Sequence, residues 1–112
     1  MQVESQMDEI FERFENNPDE FEKFFRENFH TAKVAPVAVF GVNKSLYAEI
    51  VVVARKCGTF YTITRIQNGG HSVYTLTITM GDISRPYHLK GELEERAKIL
   101  TKEWVDETFS LL

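Results

Sequence analysis

Cys57 is the only cysteine in the chain, and Lys56 precedes it. A cation beside a thiol raises its thiolate fraction, which a nucleophile or redox centre requires. No base or orienting residue stands at a spacing that would complete such a site, so the sequence favours a small residue tolerated in a tight turn. The densest polar cluster is Asp82-Ile83-Ser84-Arg85-Pro86-Tyr87-His88-Leu89-Lys90. Asp82, Arg85, Tyr87 and His88 bring a carboxylate, a guanidinium, a phenol and an imidazole together, and connecting segments carry function more often than cores do. That loop is therefore a candidate binding site. His30, His71 and His88 have no second ligand nearby at metal-binding spacing. The chain has no GxGxxG, P-loop, GxSxG, HExxH or CxxC pattern. These features predict a non-catalytic protein with no metal and no cofactor.

Charge is the next signal. The net charge of -4 is unevenly distributed: residues 1–30 carry nine acids and three bases, and residues 31–81 one acid and five bases. Asp8, Glu12 and Glu15 fall at i, i+4, i+7 of a helix, and Asp19 continues the acidic surface. A solvated helix face accounts for such a stripe. The sharper reading is a surface that engages a basic protein patch, where complementary charge supplies on-rate and specificity. Small inhibitors of viral and mobile-element type use this device. Val51, Val53 and Phe60 make a second candidate protein contact, and a second copy of the chain is among the partners it would fit.

A nucleic-acid reading stands as the alternative. Arg55, Lys56, Phe60 and Arg65 place bases and a ring on predicted strands, and single-strand binders stack bases on exposed rings while cations track phosphates. In topology alone, four strands followed by a helix, the chain resembles the whirly-type single-strand binders. Register already places Arg65 with the core residues, so it would have to reach out at the sheet edge. With five bases in the region and acidic flanks, the electrostatic contribution would be weak.

The elements that position these groups follow from periodicity. Ser5 can cap a helix over 5–16, with Met7, Ile10, Phe11 and Phe14 as its apolar stripe. Asn17-Pro18 stops it and starts another, whose stripe is Phe21, Phe24, Phe25 and Phe29. Strands are predicted over 34–40, 46–55, 59–66 and 72–80, with Pro36 marking an edge. Turns fall at 41–45, at Cys57-Gly58 and at Asn68-Gly69, the last the strongest hairpin signal. Residues 81–90 read as a polar connector and 92–109 as a final helix, with Leu93, Ala97, Leu100 and Trp104 on one side and Ile99, Val105 and Phe109 widening it.

Two-residue loops at both hairpins set the registers. Ala54 then faces Tyr61, Val52 faces Ile63, Arg65 faces Ser72 and Ile63 faces Tyr74. Ile50, Val52, Ala54, Tyr61, Ile63, Tyr74, Leu76 and Ile78 share one face, the predicted core. Val51, Val53 and Phe60 lie on the other. Two arrangements fit. In one, all three helices lie on the core face and leave the mixed face for a partner. In the other, slightly favoured because it covers Val51, Val53 and Phe60, there are three layers, with the final helix on one side of the sheet and the Phe-rich hairpin on the other.

The expected architecture is α+β in the order αα-ββββ-α. It is a single domain over 1–112: an acidic helical hairpin at 1–31, an antiparallel sheet at 34–80 and a helix at 91–112. No apolar run approaches the roughly 20 residues needed to span a bilayer. With no leader pattern at the N-terminus and no cysteine pair, the sequence predicts a cytoplasmic protein without membrane contact.

Overall fold

The computed structural model describes residues 3–38, 46–68 and 71–110, with side chains described over 3–32, 51–66 and 72–104. The chain is α+β. Helices α1 (Val3–Asn16) and α2 (Pro18–Asn28) precede strands β1 (Phe29–Ala38), β2 (Leu46–Lys56), β3 (Thr59–Asn68), β4 (His71–Met80) and β5 (Ile83–His88), and helix α3 (Gly91–Ser110) follows. The strands form one antiparallel sheet in chain order. Among the described residues, no helix is long and apolar enough to cross a membrane.

The helical hairpin forms with its junction as expected, but α1 begins at Val3, so Ser5 lies within the helix rather than capping it. Asn17 Oδ1 accepts the Glu20 amide at 3.3 Å, and Pro18 occupies the first turn of α2. Met7 and Phe14 of α1 and Phe21 and Phe25 of α2 are buried. Phe29 departs from the predicted stripe. Helix α2 ends at Asn28, whose side-chain amide donates to the Phe24 carbonyl at 2.9 Å. Phe29 turns into β1, which starts five residues earlier than the expected Val34 and carries an irregularity between Phe29 and Thr31. There the Phe29 ring stacks on Trp104, 4.3 Å between centroids.

The Cys57-Gly58 hairpin has the expected register, with Ala54 opposite Tyr61 and Val52 opposite Ile63. The next hairpin slips by two residues. Arg65 pairs with Tyr74 and Asn68 with His71, so the connection lies at 69–70 rather than at Asn68-Gly69. A slip of two preserves side-chain parity, so every residue keeps its face. Residues 69–70 lie outside the described residues, as does the predicted turn at 41–45.

Two expectations are corrected. The sheet has five strands, because Ile83–His88, read as part of a connector, pairs with β4. This short strand is exposed at every position except half-buried Tyr87, and it contains Pro86. Both features obscure a strand in sequence and suit an edge. The layers also number two rather than three. Met7, Phe14, Phe21 and Phe25 of the hairpin and Leu93, Ala97 and Leu100 of α3 all join one core, with Val52, Ala54, Tyr61, Ile63, Tyr74, Leu76 and Ile78 of a single sheet face. Width explains this arrangement. Five strands about 4.8 Å apart span about 24 Å, nearly enough for three helices packed about 10 Å apart. Within α3 the buried Thr101 hydroxyl donates to Ala97 O at 2.9 Å, so no partner outside the helix is needed. Ile99 stays 46% exposed, and the Val105 and Phe109 side chains fall outside the described residues.

Candidate functional site

With all three helices on one side, no element among the described residues covers the other face of the sheet. Register builds it in rows. Val53 lies beside Thr62, then Thr77, then Pro86; Val51 lies beside Thr64, then Thr75, then His88. A third row joins Arg55, Phe60, Thr79 and Ser84, where the Thr79 and Ser84 hydroxyls meet at 2.8 Å. Phe60, Ile66 and Val73 are 37%, 45% and 46% exposed, while Val51 and Val53 are half-buried by their neighbours on the face. The Arg55 guanidinium carbon stands 5.9 Å from the Phe60 ring centroid, a cation–π contact. The surface is thus β-branched, apolar and hydroxylated. Arg55 is the one charged side chain placed on it among the residues with described side chains.

The nucleic-acid residues do not converge. Arg55 and Phe60 share the open face, but Lys56 and Arg65 occupy positions of opposite parity, on the helical side. Arg65 is half-buried and its Nε is shielded from solvent, so it does not reach round the edge.

The acidic residues divide. Asp8 is engaged within the fold: it accepts from Tyr87 Oη at 2.6 Å and lies 3.5 Å from Arg85 Nε. Tyr87 also stacks on Phe11, 4.5 Å between centroids. Burial first, and then the hydrogen bond to Asp8, push the Tyr87 phenol up to about 12. Asp19 pairs with Arg96 Nη1 at 2.6 Å, and Glu22 lies 3.1 Å from the same nitrogen. Arg26 bonds Glu22 and Glu103, and its proximity holds the Glu103 carboxyl below the usual carboxylate range. Glu12 and Glu15 remain exposed on α1 without ion-pair partners among the described residues.

The predicted loop cluster is also divided by its strand. Arg85 and Tyr87 turn to the helical side and clasp α1, His88 belongs to a row of the open face, and Asp82 sits exposed in the β4–β5 turn. Its signal was the alternation of Ile83, Arg85 and Tyr87 against Ser84, Pro86 and His88. Among the described residues no three His, Cys, Asp or Glu side chains converge as a metal site. No family model, no curated protein and no solved structure matches this chain.

Proposed function

We propose that the chain is a small non-catalytic binding protein, a regulator or adaptor, whose contact surface is the open face of the sheet. One observation carries this reading: three helices cover one side of a five-stranded sheet and none covers the other. Monomers rarely leave a broad apolar face in water. Four strands of ten or eleven residues and one of six, at about 3.3 Å per residue and about 4.8 Å between strands, make a face of about 700 Å². A standard protein interface takes about 800 Å² from each partner.

The chemistry favours a protein surface of mixed apolar and hydroxyl character. A phosphate backbone draws its affinity from several cations, and two of the four candidate cation or ring positions lie on the wrong side of the sheet. A second copy of the chain, which would present the same face, is the partner this reading favours. Two open faces meeting about 10 Å apart would form a sheet-on-sheet core between two outer helical layers. The acidic helical hairpin is the weaker contact surface, because Asp8 and Asp19 already serve intramolecular bonds.

Sedimentation of the wild type and of Val53→Lys tests the proposal. The expected result is a dimer that the substitution dissociates without loss of fold. A wild-type monomer at its highest soluble concentration overturns self-association. Salt-sensitive binding of a single-stranded oligonucleotide, weakened by Arg55→Ala and Phe60→Ala, overturns the protein-binding reading itself.

A further inference from the structure

A cavity of about 370 Å³ opens on the helical side, between the end of the α1–α2 hairpin and the β2–β3 turn. Lys56, Thr59 and Met80, paired in one row of the sheet, form its floor with Tyr61. Its volume lies within the range of small-molecule sites, about 300–1,000 Å³.

The lining is built for an anion with an apolar body. Tyr61 lines the cavity and is only 7% exposed, yet its hydroxyl has no hydrogen-bond partner among the described residues. The ring is the buried part; the hydroxyl is not among the buried polar atoms without a partner, so it stands open to the cavity with its donor available to a ligand. The Tyr61 ring is fixed edge-on against Phe24 at 4.5 Å and Phe14 at 6.5 Å, and both phenyl rings also line the cavity. Arg13 and Cys57 line the same cavity as Tyr61, and burial raises the Tyr61 phenol while the nearby Arg13 charge acts against it. Arg13 and Lys56 both line the cavity, and neither has an ion-pair partner among the described residues. By contrast Arg26, Arg85 and Arg96 are each paired. Glu20 also lines the cavity, so the net charge of the lining is a single positive one. That balance favours a monoanion over a dianionic phosphate.

We propose that this cavity binds small organic carboxylates. Arg13 and Lys56 hold the carboxylate, the Tyr61 hydroxyl donates to it, and Phe14 and Phe24 enclose the apolar body. The site lies on the opposite side of the sheet from the protein contact surface and does not depend on it.

Phenylacetate is a suitable probe, with benzyl alcohol as its uncharged counterpart. Each is titrated into ¹⁵N-labelled protein while amide shifts are followed. Phenylacetate is expected to give saturable shifts centred on the β2–β3 turn, Tyr61 and the C-terminal turn of α1, and benzyl alcohol to bind at least tenfold more weakly. Arg13→Gln and Lys56→Gln should each weaken phenylacetate about tenfold, the loss of one charge-assisted hydrogen bond. Both side chains are exposed, so the spectrum away from the cavity should stay unchanged; if one variant misfolds, the other still decides. Tyr61→Phe keeps the ring packing and should weaken binding several-fold. The proposal is overturned by the absence of saturable shifts, by equal binding of benzyl alcohol, or by undiminished binding to folded Arg13→Gln or Lys56→Gln.

Discussion

The Tyr87 hydroxyl donates to Asp8 Oδ1 at 2.6 Å, across 79 residues of sequence, while its ring lies on Phe11. This contact ties the edge strand β5 to α1, the helix farthest from it in chain order. A hydrogen bond to a charged acceptor stabilises by about 1.5–3 kcal/mol, and partial exposure places this one near the lower end. Tyr87→Phe should therefore cost about 1.5 kcal/mol in urea unfolding. Amide exchange should accelerate most in β5 and in its β4 partners Leu76 and Ile78. Unchanged exchange there would show that Phe11 stacking alone holds the strand.

The same phenol makes stability depend on alkaline pH. Its pKa is raised from 10.0 to about 12, by burial first and then by Asp8. The folded state binds the proton more tightly than the unfolded state does, so this stabilisation is complete below pH 10. It is lost as pH rises from 10 through about 12. The wild type should lose more stability than Tyr87→Phe across that window. Because Tyr61 and the lysines titrate in both proteins, the difference between the two curves isolates Tyr87. Parallel curves would disprove the assignment.

The β2–β3 turn holds backbone strain. Cys57 sits at φ +51° and Gly58 at φ +78°, the signs of a two-residue type I′ hairpin turn. A non-glycine residue in the left-handed region is disfavoured, and Asn tolerates it best. Cys57→Asn is expected to raise stability by up to about 1 kcal/mol. Gly58→Ala should lower it by about 1 kcal/mol or more, for conformational reasons alone, since no atom stands within 4 Å of the added methyl. Thermal unfolding of the two variants would separate these opposite signs.

What was legible in the sequence follows from which signals are local. The helical stripes, the N-cap at Asn17 and the face of each core strand depend on spacing and parity, and these survived even a two-residue slip at the second hairpin. Gly69 within the expected loop and Gly70 just after it offered two connections of the same length, and composition did not choose between them. Strand β5 was obscured because an edge strand needs no apolar run and accepts Pro86. The number of layers was not local at all: it depends on whether three helices fit one face, which in turn depends on that fifth strand. The open face was legible from parity, since Val51, Val53 and Phe60 fall opposite the core residues; whether anything covered it was not. Arg65 was already placed with the core residues by register, and the pairing puts Lys56 on the same helical side.

The attachment of α2 to α3 sets ion pairs against apolar burial, and the two respond differently to salt. Glu22 receives Arg26 at 3.0 Å and Arg96 at 3.1 Å, and Arg26 also bonds Glu103. All these groups reach water, where pairs of this kind contribute little and are screened. Beneath them Phe21 and Phe25 are fully buried. Phe25→Ala should cost about 3–5 kcal/mol, equally at low and high salt. Glu22→Gln should cause a small fall in melting temperature that disappears in about 1 M salt. Acid should act in the same direction as Glu22→Gln. Arg26 lowers the Glu103 pKa from 4.5, so the stability it contributes is present above that pH and is lost as pH falls through the depressed folded value. A salt-independent loss in Glu22→Gln would mean that its carboxylate acts through packing. A salt-sensitive loss in Phe25→Ala would mean that the ion pairs, rather than the phenyl rings, hold the helical layer together.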